Sequence, residues 1–187
     1  MKQSPTPFFT KKLINGVSVN TYQDINFLAK RDIIFDVDGT LMNISERLTE
    51  TNKRYDKKDQ RDKWWDMFLN NKVMKDNDTC NIDVVLMLHC LMDKGNRIII
   101  TSARNIKHKA TTIWQLENHC GLTPDLYKIY LRKDNDMRPD SIVKKELLEQ
   151  IKTDGYDPTI AFDDRDQVVK MWRELGLICY QVREGSF

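Results

Sequence analysis

Apolar positions along the chain fall into short runs separated by polar stretches, and their spacing changes from run to run. Ile33-Ile34-Phe35, Arg97-Ile98-Ile99-Ile100-Thr101 and Thr159-Ile160-Ala161-Phe162 are continuous, rich in β-branched or aromatic residues, and too short for helices. Runs of this kind predict strands buried on both faces, as parallel sheets require. Residues 127–131 and 177–182 are weaker strands of the same sort. Between them the period lengthens. Ile142, Val143, Leu147, Leu148 and Ile151 share one helical face, and so do Val168, Val169, Trp172 and Leu175. Residues 82–92 are apolar nearly all round, which predicts a well-buried helix ended by Lys94-Gly95-Asn96. A further helix is expected over 107–118, closed by Gly121. Strands alternating with helices imply an α/β fold: a doubly wound, mainly parallel five-stranded sheet with right-handed crossovers. There is no internal repeat.

Two stretches stand outside this alternation. In residues 1–30, Asn15-Gly16 between Leu13-Ile14 and Val17 signals a hairpin, and residues 22–28 suit a short helix. This N-terminal extension carries no recognisable chemistry, and its role stays open. The second stretch, after the first strand, is strongly polar. Lys53, Arg54, Lys57, Lys58, Arg61 and Lys63 stand there against Asp56, Asp59 and Asp62, followed by Trp64-Trp65-Asp66-Met67-Phe68. It reads as a solvated helix with a hydrophobic anchor, or as a substrate reader overhanging the strand that it follows.

Composition narrows the class only modestly. The 187 residues are 40% hydrophobic, enough for one real core, and the net charge of +2 neither requires nor excludes an anionic partner. No stretch approaches the roughly 18 apolar residues of a membrane-crossing helix. The start, Met1-Lys2-Gln3-Ser4-Pro5, has no signal-like apolar run. Cys80, Cys90, Cys120 and Cys179 form no C-x-x-C pair, and His89, His108 and His119 are scattered. Neither zinc nor disulfides are indicated. The expectation is a reduced, cytoplasmic protein with no membrane partner.

The chemistry gathers at strand ends. The first strand stops in Asp36-Val37-Asp38-Gly39-Thr40, the second in Thr101-Ser102-Ala103-Arg104, the fourth in Asp163-Asp164, and Lys144 sits near a helix start. Open α/β sheets bind ligands outside the carboxyl ends of their strands. Carboxylates brought there from two strands (Asp36, Asp38, Asp163, Asp164) repel one another unless a cation intervenes, and all-oxygen ligands suit Mg²⁺. The hydroxyl of Ser102 and the ammonium of Lys144 suit phosphoryl oxygens, and Arg104 can add a bidentate clamp. Thr101 beside Ser102 is an equal candidate.

The Asp36-Val37-Asp38-Gly39-Thr40 motif resembles that of the haloacid dehalogenase superfamily of aspartyl-phosphate phosphotransferases. Residues 138–146 and 160–173, with Gly176–Val182 and the terminal Gly185-Ser186-Phe187, resemble more narrowly the 3′-phosphatase domain of phage polynucleotide kinase–phosphatase. The resemblance covers about 31–187. It implies Asp36 as nucleophile, Asp38 as general acid/base, a small cap over about 42–80, Arg47 and Asp140 near the substrate phosphate, and Asp163 as the first acid of the last motif. No G-x-x-x-x-G-K-[ST] occurs, so no kinase signature accompanies it.

The expected function is therefore a Mg²⁺-dependent phosphomonoesterase acting through an aspartyl-phosphate, favoured as a polynucleotide 3′-phosphatase. Its partners would be nucleic-acid 3′-phosphate ends, DNA or RNA, in the host cytoplasm if the source is a phage. The alternatives are a nucleotidase or other small-molecule phosphatase and, in a different class, a non-catalytic nucleic-acid end-binding protein. Oligomeric state stays open.

Overall fold

The structure is a computed structural model and describes residues 9–14, 17–22 and 30–185, with side chains from residue 30 onward. The chain divides into two units, Met1–Lys30 and Arg31–Phe187. In the first, β1 (Phe9–Ile14) and β2 (Val17–Tyr22) pair antiparallel with Ile14 opposite Val17. The turn pair Asn15-Gly16 and residues 23–28 of the expected helix lie outside the described residues, while Tyr22 ends β2.

The second unit runs β3 (Asp32–Asp36), β4 (Met42–Asn43), α1 (Ser45–Arg54), α2 (Arg61–Phe68), α3 (Asn71–Asn77), β5 (Thr79–Cys80), α4 (Ile82–Asp93), β6 (Arg97–Asn105), α5 (Lys109–Cys120), β7 (Tyr127–Arg132), α6 (Asp140–Thr153), β8 (Pro158–Arg165), α7 (Asp166–Glu174) and β9 (Ile178–Gly185). Five strands form one parallel sheet in the order β7-β6-β3-β8-β9. The central strand β3 is buried along its whole length. Its side chains alternate between faces: Ile33 and Phe35 join one hydrophobic cluster and Ile34 the other. Phe35 stacks on Phe162 of β8 with ring centroids 4.5 Å apart. Helices α6 and α7 cover the Ile34 face, α4 and α5 the opposite one.

After β3 the chain moves to β6 on one side, whereas after β8 it moves to β9 on the other. The switch point of the sheet therefore lies between β3 and β8, where such folds place their ligands. The α1–α3 segment enters and leaves the core through a two-rung ladder, Met42 opposite Cys80 and Asn43 opposite Thr79. Trp64 and Phe68 of α2 share a cluster with Phe35 and Leu41, so these helices pack onto the core.

One expectation needs correcting. Helix α4 buries only Val84, Val85 and Leu88, while Ile82, Leu86 and Met87 are exposed. It lies on one face of the sheet and is not surrounded, so its apolar composition exceeds its burial.

Gly185, at the end of β9, passes so close to β8 that a Cβ there would lie 2.4 Å from the main-chain oxygen of Asp164. Gly185→Ala should therefore cost about 1–3 kcal/mol through overpacking against rigid backbone. A chemical-denaturation midpoint unchanged from wild type would refute this close approach.

Candidate active site

Asp36 is the last residue of β3, and Asp163 and Asp164 lie near the end of β8 across the switch point. Oxygens of these three carboxylates come within 4.8 Å of one another, and all three residues are buried. Lys144, from the second turn of α6, reaches between them. Its ammonium donates to Asp36 Oδ1 at 2.6 Å and to Asp163 Oδ2 at 2.7 Å. The Trp172 indole donates to Asp163 Oδ2 at 3.1 Å, and the main-chain N–H groups of Asp164 and Arg165 approach Asp163 Oδ1 at 3.1 and 3.3 Å. The Asp164 carboxylate lies over Gly39, where a Cβ would sit 2.1 Å from its Oδ2; Gly39 has φ +82°, a second reason for glycine. The Asn81 amide fixes this turn by donating to the carbonyls of Gly39 and Thr40.

Three buried carboxylates thus face one ammonium. Burial pushes the pKa of Asp36 well above the usual carboxylate range; Lys144 opposes this, and Asp163 and Asp164 add to it. Asp164 is raised to about 6, by burial first and then by Asp163. Burial works against the charge of Lys144 too, but Asp163 and Asp36 outweigh it and hold the ammonium protonated. The cluster has an excess of negative charge and only oxygen donors, and that combination fits a hard divalent cation.

Asp38 stands apart from the cluster. Its carboxylate is held by Arg104, through Nε and Nη2 at 2.7 Å each, and by Arg47 Nη2. Burial raises its pKa, but the two guanidiniums overcome this and hold it well below the ordinary value. Both arginines are buried, Arg47 on the Phe68 carbonyl and Arg104 on Thr112 and Gln115. Asp38 was expected among the metal ligands, but its side chain is engaged elsewhere. Arg47 and Arg104 were expected on substrate phosphate; here they grip Asp38. Asp140, expected near the phosphate, is bracketed by Arg132 and Arg165.

A cavity of about 80 Å³ opens between these groups and the α1–α3 segment. Asp36, Asp38, Ser102, Arg104, Asp140, Lys144 and Asp164 line it, together with Lys57, Trp64, Trp65, Phe68 and Leu69 from the α1–α3 segment. Ser102 lines it and Thr101 does not, although the Thr101 hydroxyl has no hydrogen-bond partner among the described residues. Of the basic run, only Lys57 and Arg61 enter this account. The Lys57 ammonium lies 4.4 Å from the Trp64 ring centroid and 5.2 Å from that of Trp65, and Arg61 opens α2 on the surface. Trp64 itself is core, 2% exposed, with its indole on Asn52.

Comparison with known proteins decides the family. A family model described as the polynucleotide kinase PNKP phosphatase domain matches residues 66–187. The chain belongs to that family. A protein of Autographa californica nuclear polyhedrosis virus, named as a bifunctional polynucleotide kinase/RNA ligase, is 24% identical over 166 residues, which is 88% of this chain and 21% of the viral protein. A chain in a structure of the Pnkp1/Rnl/Hen1 RNA repair complex superposes with a TM-score of 0.65 at 30% identity, over 89% of this chain and 46% of that one. The chain thus spans about a fifth and under half of these two relatives. For the fold alone, a haloacid dehalogenase family enzyme from Bacteroides thetaiotaomicron, in complex with magnesium and inorganic phosphate, gives a TM-score of 0.53 at 17% identity over 85% of this chain and 97% of that one. The protein is a phosphatase of the PNKP phosphatase-domain family with the haloacid dehalogenase fold.

In this phosphatase domain the sequence left several site residues unmarked. Trp172 reads as one more apolar position on a helical face, and nothing in the spacing signals its bond to Asp163. Asp78 and Gln115, which touch the two arginines, carry no motif either. Asn81 alone has a local signal, as a cap-type residue opening α4.

If the carboxylate cluster holds Mg²⁺, the ion should stabilise the native state by mass action. At a hundredfold excess over its dissociation constant the gain is about 2.7 kcal/mol, or roughly 5–10 °C for a domain of this size. Asp164→Asn should lose most of that increment. Calorimetric scans with Mg²⁺ and with EDTA that coincide for wild type would exclude the cation site.

Proposed function

We propose that this phosphatase removes 3′-phosphates from polynucleotide ends, with Mg²⁺ as cofactor and an aspartyl-phosphate on Asp36 as intermediate. The observation that carries the reading is the cavity. At about 80 Å³ it is far below the roughly 300–1,000 Å³ of sites that enclose a whole small molecule. It suits a phosphoryl group with the remainder of the substrate outside, as at the end of a polymer. A nucleotidase would need room for a base as well. The relatives named for polynucleotide kinase, RNA ligase and RNA repair support nucleic-acid ends as the substrate class.

Asp36 attacks phosphorus, forming the Asp36–phosphate bond as the bond to the leaving oxygen breaks. Lys144 orients it through Oδ1 and, with Ser102, carries charge on the transferring group. Once released from the two guanidiniums and protonated from solvent, Asp38 gives that proton to the leaving oxygen and then takes one from the water that releases phosphate from Asp36. Bound at Asp36, Asp163 and Asp164, Mg²⁺ supplies neutralisation of the repulsion between carboxylate and phosphate. At the rim, Lys57 and the half-buried Trp65 face whatever protrudes, offering a phosphate contact and a ring face.

Asp36→Asn should lower phosphate release by more than roughly 1,000-fold with the fold intact, read by phosphate assay and circular dichroism. A 3′-phosphorylated oligonucleotide should be a better substrate than a 3′-mononucleotide, by kcat/KM, and should lose efficiency steeply with salt. Lys57→Ala should reduce the slope against log salt by about 0.7, one single-strand phosphate contact. Equal efficiency on the two substrates, with no salt effect, would assign the domain to the nucleotidases.

A further inference from the structure

Behind the two arginines that hold Asp38 lies a second carboxylate with no place in the reaction just described. Asp78 follows α3, directly before β5, and its side chain is fully buried. Its Oδ1 is 3.0 Å from Arg47 Nε, and its Oδ2 is 3.5 Å from Arg104 Nη2. Gln115 of α5 ties the group together. Its amide nitrogen donates to Asp78 Oδ2 at 2.9 Å, and its carbonyl oxygen accepts from Arg104 Nη1 at 2.6 Å. The two guanidiniums are thus sandwiched, Asp38 on the cavity side and Asp78 on the far side. The quartet is electrically neutral, and Asp38, with a fifth of its side chain exposed, is its most open member.

We propose that Asp78 is a positioning residue of the phosphatase reaction, sharing Arg47 and Arg104 with Asp38 so that Asp38 can let go of them and protonate the leaving oxygen. The inference rests on the reading of Asp38 as general acid. Without Asp78, two buried cations would have Asp38 as their one ion-pair partner among the described residues, and a buried pair of that kind is strongly resistant to separation. Asp78 itself is sealed from the cavity by the arginines and touches no substrate.

Leaving groups separate this role from a structural one. The alkoxide of β-glycerophosphate needs a proton as it departs, and the phenolate of 4-nitrophenyl phosphate departs without one. Asp38→Asn should lower kcat on the alkyl ester at least tenfold more than on the aryl ester, and Asp78→Asn should show the same imbalance. Asp78→Glu, which restores the charge, should recover part of the loss. Equal losses on both esters for Asp78→Asn, or none, with the imbalance intact in Asp38→Asn, would overturn the role of Asp78 and leave the acid role of Asp38 standing. No imbalance in Asp38→Asn would remove both. If Asp78→Asn does not fold by circular dichroism, Gln115→Met keeps all four charges and loosens only the tie between Asp78 and Arg104. It should show a smaller imbalance of the same sign, and equal losses there would overturn the proposal.

Discussion

A buried excess of negative charge is the constraint around which this domain is built. Asp36, Asp163 and Asp164 sit buried at the ends of adjacent strands, with one ammonium among them. An ionised carboxylate taken into a low-dielectric interior is costly unless paired and hydrogen-bonded. Hence Lys144 is aimed inward from α6, Trp172 turns its indole toward Asp163, and two main-chain N–H groups approach the same residue. Gly39 leaves the space that Asp164 occupies. Each of these is a concession of the fold to charge, and together they concentrate a field at the carboxyl ends of β3 and β8.

Beside it lies a second ionic group of opposite character. Arg47 and Arg104 bring two positive charges that Asp38 and Asp78 cancel. The first cluster is unbalanced and calls for a cation, whereas the second is balanced and closed. Asp36 and Asp38 are two residues apart, so a single turn of chain places one carboxylate in each group. The turn after β3 makes this division: the strand ends at Asp36, and a continued pleat would have kept residues two apart on one face.

Much of this was legible in the sequence. Continuous apolar runs gave away the buried strands because a parallel sheet has no solvent face to alternate toward. Asp36, Asp38, Ser102 and Asp164 line one cavity because strand ends of a parallel sheet lie side by side, and Lys144 reaches the same cavity from α6. What the chain did not disclose is pairing. Which charges meet depends on distances across tens of residues, so nothing in the sequence marked Arg47 and Arg104 as partners of Asp38, which both hold while Arg104 also lines the cavity. Helix α4 misled for a simpler reason, since apolar composition does not tell a helix lying on a sheet from one enclosed by it. Trp64 and Trp65, adjacent and alike in sequence, both line the cavity, but Trp64 is buried and Trp65 half-buried, a difference of 100° around a helix.

The two-rung ladder between β4 and β5 has a bearing on how such a domain changes over time. A segment whose ends leave the core side by side can grow or shrink at small entropic cost, since loop closure depends only weakly on length. Arg47 and Asp78 lie near the two ends of that segment, close to the ladder, and Lys57 lies on the loop between α1 and α2 at its middle. Arg47 and Asp78 are thus anchored where length is fixed, and Lys57 is carried where length is free. The insertion can therefore lengthen or shorten around Lys57 without displacing Arg47 and Asp78 from their places beside the sheet.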